Sequence, residues 1–207
     1  ADPDTPGKVN AYVDAMIAFD DNQHDDQAIA ALHDVYERTK TYRYKIRIGD
    51  IRIRVMTRKE RELTAAGDVN GAKQMKAQRL AFELEEYAER VVNYPTDLAL
   101  KYELGRRLLI AKQFDEAIAT LQAAQNDPRR RLKALALLGQ AFYFKGLKRE
   151  AVDTFRRALE GDVRESEQKE LRYLLGVALE AAGDFDGAGE QFSLVAQMDY
   201  GYKDASK

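Results

Sequence analysis

The chain has 207 residues, a third of them charged, with 33 Lys and Arg against 35 Asp and Glu and a formal net charge of −2. That balance argues against a dominant nucleic-acid-binding role, which draws on a marked positive excess. The absence of cysteine excludes a disulfide framework and a thiolate metal site, and no apolar run approaches the roughly 18 residues needed to span a bilayer.

Residues 1–7, ADPDTPG, are small and polar and read as a flexible lead-in. They contain neither an initiator Met nor an apolar leader, as expected of a trimmed or a processed chain. From Lys8, apolar Val9, Val13, Met16 and Ile17 fall at helical spacing, and the run DDNQHDD at 20–26 supplies Asp caps for a second helix. Its stripe is Ala28, Ile29, Leu32 and Val35, so 8–39 is expected to form a helix pair.

Residues 42–56, YRYKIRIGDIRIRVM, carry two competing patterns. Strict alternation around Gly49-Asp50 fits a β-hairpin with a two-residue turn. The helical reading takes Tyr44, Ile48, Ile51 and Val55 as one stripe, and the neighbouring sequence favours it. Helix formers continue to Ala66, Gly67-Asp68 makes a stop and a cap, and 69–93 carries Leu80, Leu84, Tyr87 and Val91 at the same spacing. A lone two-stranded hairpin would be marginal, with no sheet to join. The expectation is therefore a long helical hairpin over 42–93, with its two stripes facing each other and Tyr94-Pro95 ending it.

The remainder is a repeat. Residues 98–131 are followed at once by a second version at 132–165, with Gly105 answered by Gly139, Ala117 by Ala151, Leu121 by Phe155 and Ala124 by Ala158, each 34 positions on. A third copy, at 169–202 after a short insertion, carries Gly176, Ala188, Phe192 and Val195. Turn signals recur before each second helix, at Lys112-Gln113-Phe114, Gly146-Leu147-Lys148 and Gly183-Asp184-Phe185. A fixed period of this size marks stacked helical units. Residues 203–207 read as a frayed end.

The patterns Leu104-Gly105-x2-Leu108 with Ala117-x3-Leu121-x2-Ala124, Leu138-Gly139-x2-Phe142 with Ala151-x3-Phe155-x2-Ala158, and Leu175-Gly176-x2-Leu179 with Ala188-x3-Phe192-x2-Val195 resemble the tetratricopeptide repeat (TPR). The resemblance is clear over 98–200 and weak over 8–39, whose pair reads as a degenerate copy. It implies an all-α, right-handed TPR-like superhelix of antiparallel helix pairs, with the elongated hairpin in the N-terminal half. It also implies a concave face, lined by the first helix of each unit, that serves extended partners. Taking the Leu-Gly pair as buried, the groove positions are Tyr102, Arg106 and Leu109; Ala136, Gln140 and Tyr143; and Tyr173, Val177 and Glu180. Such a groove suits an apolar segment or helix of another protein. The competing expectation is that these side chains pack on neighbouring helices or on the chain's own termini. Family members that hold a chaperone's C-terminal carboxylate use a Lys/Asn/Arg clamp on this face. Arg106 is basic, but Tyr102, Leu137 and Gln140 do not complete it.

Chemistry-bearing motifs are missing: no H-E-x-x-H, phosphate loop or nucleophile elbow occurs. His24 and His33 read as solvated helix residues rather than metal ligands. The Arg129-Arg130-Arg131-Lys133 cluster is expected to neutralise Asp127 and the end of the preceding helix, rather than to hold an acidic partner. The basic face from Arg43 to Arg61 is expected to be matched by the Asp excess of 1–37. The function read from the sequence is a non-catalytic protein–protein interaction scaffold, without cofactor, metal, nucleic acid or membrane span. The alternative is an assembly protein self-associating through 42–93. A cytoplasmic location is expected, with export left open, and the array is expected to continue beyond 207 or to be closed by a partner.

Overall fold

In the computed structural model, which describes residues 6–161 and 163–203, all regular structure among the described residues is helical. The Cα packing divides the chain into two units, 1–90 and 91–207. Most of the lead-in at 1–7 and of the end at 203–207 lies outside the described residues.

The first unit holds α1 (Pro6–Ile17), α2 (Asn22–Thr39), α3 (Tyr42–Ala65) and most of α4 (Val69–Asn93). Asp21 caps α2, its Oδ1 accepting the His24 backbone N–H at 2.9 Å. Val9 and Val13 of α1 meet Ala28, Leu32 and Val35 of α2 and Tyr44, Ile48 and Ile51 of α3 in one buried cluster. The helical reading of 42–56 therefore holds, and Gly49-Asp50 sits inside α3 rather than at a turn. The glycine answers a close approach: a Cβ at position 49 would meet the Glu86 carboxylate and, at 2.9 Å, Nη2 of Arg90, both from α4.

One expectation is corrected. The α3 stripe does not face the α4 stripe; Tyr44, Ile48 and Ile51 are spent on α1 and α2. The buried residues of α4 are Glu83 and Arg90, and its seam with α3 is ionic. Arg79 holds Glu60 at 2.9 Å and Glu83 at 2.6 Å. Arg90 pairs with Asp50 at 2.8 Å and donates to the Ile46 carbonyl at 3.1 Å, and Lys45 meets Glu89 at 2.6 Å. Pairing early α3 with late α4 and late α3 with early α4 makes the two antiparallel.

The charge blocks of this unit neutralise each other, as expected. Asp25, fully buried, is gripped by Arg54 and by Arg58 at 2.7 Å, while Arg58 also reaches Asp20 at 2.9 Å and Arg47 reaches Asp14 at 2.7 Å. Such a carboxylate is tolerable only because two guanidinium groups satisfy it.

The second unit stacks α5 (Leu98–Ile110), α6 (Phe114–Ala124), α7 (Arg131–Lys145), α8 (Lys148–Leu159), α9 (Glu165–Ala182) and α10 (Phe185–Met198) in chain order, each helix packing on the next. Asp97 caps α5 by accepting from Ala99 N and Leu100 N. Within each pair, a glycine of the first helix takes the large residue of the second. A Cβ on Gly105, Gly139 or Gly176 would stand 2.6, 2.5 or 2.6 Å from Leu121, Phe155 or Phe192. The three turns share one left-handed cap, at Lys112 (φ 61°), Gly146 (φ 92°) and Gly183 (φ 86°). Each closes with the long bond of a Schellman motif: Gln113 N to Leu108 O, Leu147 N to Phe142 O, and Asp184 N to Leu179 O. The insertion before the third copy is absorbed into α9, which starts at Glu165, eleven positions before Gly176, where α7 starts at Arg131, eight before Gly139.

Candidate functional site

Turning the Gly105, Gly139 and Gly176 faces toward the second helices leaves the other face of α5, α7 and α9 to line a groove in the second unit. It contains a pocket of about 230 Å³ bounded by Tyr102 of α5, Ala136, Leu137 and Gln140 of α7, and Leu171 of α9. Leu132 and Lys133 of α7 and Glu167 and Glu170 of α9 complete the lining. That volume is below the roughly 300–1,000 Å³ that houses a whole small molecule, and it suits one or two side chains of a larger partner.

The floor is apolar, and its polar groups are uncommitted. Neither the Tyr102 hydroxyl nor the Gln140 amide hydrogen-bonds to another described residue, and no described cation pairs with Glu167 or Glu170. Burial, reinforced by Glu103, pushes the Tyr102 phenol above its ordinary value, so it stays neutral and able both to donate and to accept.

The residues expected in the groove divide. Tyr102, Ala136 and Gln140 line the pocket. Arg106 is exposed and pairs with Glu103 at 3.1 Å, and Leu109 is half-buried. Tyr143 packs against the buried cluster of the second unit, with the Lys148 ammonium 3.7 Å from its ring centroid and Phe144 edge-on at 5.5 Å. Tyr173 lies against Phe192 and Tyr202, both at 5.8 Å, with Lys203 over its ring at 4.3 Å. Val177 is half-buried and Glu180 exposed. The pocket thus lies toward the N-terminal ends of the first helices. Lys133 and Glu170 complete it, each five positions before the Leu of its Leu-Gly pair. Continuing the stripe one turn backwards would have found them; Glu167 belongs to the insertion, where the period offers no guide.

The basic cluster before α7 is partly paired within itself. Arg130 pairs with Asp127 at 2.8 Å, and this hydrogen bond holds the Asp127 carboxyl below its usual range. Lys133, read with that cluster from the sequence, instead reaches the groove. The ring of His24 stacks on Phe19 at 4.0 Å, and its Nδ1 lies 2.7 Å from Asp21, while His33 is exposed beside Glu37. No helix among the described residues is long and apolar enough to cross a membrane.

No protein-family model and no curated protein matches the chain. Solved structures do. MamA from Desulfovibrio magneticus RS-1, from residue 41 to its end, aligns with a TM-score of 0.63 and 17% identity over 94% of this chain and 97% of that one. A further MamA crystal structure gives 0.62 and 18% over 93% and 92%. YrrB, described as a TPR protein with an unusual peptide-binding site, gives 0.58 and 17% over 94% and 88%. At these identities the likeness concerns the fold, which is all-α and TPR-like.

Proposed function

We propose that the chain is a non-catalytic protein-interaction scaffold whose groove on α5, α7 and α9 holds a segment of a partner protein. The observation that carries this reading is the pocket itself: side-chain sized, apolar at its floor, and edged by a hydroxyl and an amide with no partner among the described residues. An extended or helical segment would place an apolar side chain against Leu137 and Leu171 and offer backbone groups to Tyr102 and Gln140. The peptide-binding site ascribed to YrrB accords with it.

The test is selection from a displayed random 12-residue peptide library on the intact chain. Enriched clones should lose binding to Gln140→Arg and Leu137→Arg and keep it to Arg149→Glu, which lies on α8 outside the pocket. The Gln140 side chain makes no hydrogen bond to another described residue, so its variant should keep wild-type helicity and melting. Clones indifferent to both groove variants would place recognition elsewhere.

A second reading, self-association through 42–93, draws on α4, where Leu80, Leu84 and Tyr87 are half-exposed while Glu83 and Arg90 are buried. Light scattering showing a monomer at the highest attainable concentration argues against it.

A further inference from the structure

We infer that the groove selects a segment in which the apolar anchor is accompanied by Lys or Arg. The inference rests on the groove reading above and adds the charge of the partner.

The helices that line the pocket contribute different charges. On α9, Glu167 and Glu170 project from successive turns of one face, and neither has an ion-pair or hydrogen-bond partner among the described residues. Some acids of this unit are matched, Glu103 by Arg106 and Arg107, Asp115 by Lys145, Asp127 by Arg130, and Asp199 by Lys169 at 2.7 Å; what sets Glu167 and Glu170 apart is that they line the pocket. The cations nearest in sequence to these glutamates are also committed. Lys169 is held by Asp199 and lies over the Tyr202 ring, and Arg172 donates to Gln191 at 3.0 Å. On α7, Lys133 is the basic lining residue, and it makes no ion pair with either glutamate. The lining therefore carries two carboxylates without an ion-pair partner among the described residues against one ammonium, among side chains of Leu and Ala.

That asymmetry is worth little to folding and much to discrimination. Two like charges one helical turn apart repel each other slightly in the free protein. A cation arriving between them removes that repulsion and gains attraction, whereas an acidic segment meets a field of its own sign. Pairs at a wet rim add modest affinity each, but they set encounter rate and partner choice. Gln140 and the neutral Tyr102 phenol can serve any backbone, so the sign of the partner falls to the charged lining residues, two glutamates against one lysine.

The displayed library decides the matter. Clones enriched on the wild-type chain and lost on Gln140→Arg should be rich in Lys and Arg beside an aliphatic or aromatic residue. The same library on Glu167→Lys/Glu170→Lys should return clones rich in Asp and Glu. For a synthetic peptide made from a wild-type clone, each Lys→Glu change should weaken binding roughly three- to tenfold at low ionic strength. The ratio should shrink toward one near 1 M salt, where screening reaches about 3 Å. Groove-dependent clones without basic bias, or with the same bias on the double lysine variant, overturn the charge inference and leave the groove standing. No enrichment, or enrichment indifferent to Gln140→Arg and Leu137→Arg, overturns both.

Discussion

Replacing Gly139 by alanine isolates the contact on which the repeat is built. The new Cβ would lie 2.5 Å from Cε1, 2.7 Å from Cζ and 2.8 Å from Cδ1 of Phe155, where ordinary carbon contacts are ~3.5–4.0 Å. Relief needs a displacement of about 1 Å. Phe155 is 1% exposed and closed in by its cluster, so the ring cannot swing out and α7 must move off α8. Overpacking of this kind costs about 1–3 kcal/mol. The gain from Ala over Gly in a helix interior returns about 1 kcal/mol. Gly176→Ala supplies an internal control: its Cβ meets Phe192 at 2.6 Å, but that ring is only partly buried, at the edge of the cluster, and has solvent to yield toward. The helix-propensity gain is common to both variants and cancels in the comparison. Gly139→Ala should be less stable than Gly176→Ala by about 2 kcal/mol in urea unfolding followed by circular dichroism at 222 nm. In a Phe155→Leu background most of that difference should vanish, a coupling of at least ~1 kcal/mol. Equal stabilities for the two alanine variants, or no coupling to Phe155, would refute the packing argument.

Lys112→Gly should stabilise the chain by about 1 kcal/mol, because Lys112 alone among the three equivalent caps holds a side chain at positive φ; an unchanged urea midpoint would count against it. Asp25→Asn should cost about 3 kcal/mol by leaving Arg54 and Arg58 without their buried carboxylate, read as loss of α1–α3 protection in hydrogen exchange. Burial pushes the Glu86 carboxyl above its ordinary value despite Arg90. A raised folded value means that its contribution is present below the ordinary Glu range and lost as pH rises through the folded value. Glu86→Gln should therefore be more stable than wild type at pH 7, with the gap closing toward pH 4; a gap widening in acid would reverse the assignment. Tyr143→Ala with Tyr173→Ala should lower the melting temperature whatever the peptide bound, since both rings pack within the chain.

Much of the second unit was legible because its physics is local. A glycine in the first helix of each unit, at 105, 139 and, after the insertion, 176, opposed by a large residue of the next helix, reports one close crossing per unit, and each crossing involves only sequence neighbours. The turns were legible for the same reason, although Lys112 shows that the left-handed cap is imposed by the pair rather than by glycine. The candidate site was legible only in part. Tyr102 and Gln140 followed from the Leu-Gly offset, but Tyr143 and Tyr173 are engaged by Lys148, Phe192 and Tyr202, which no single-helix stripe reveals.

The amino-acid sequence by itself determined the all-α class, the helix pairs and the closest contact within each regular pair, because period and volume act over one or two turns of chain. The tertiary structure decided which neighbour each stripe serves. Tyr44, Ile48 and Ile51 went to α1 and α2 and left α4 to dock through Arg79 and Arg90. It also decided which glutamates line the groove without an ion-pair partner among the described residues. A stripe states that a face is buried; only the competition among all faces for partners settles where, and charges separated in sequence count only once the fold has brought them together.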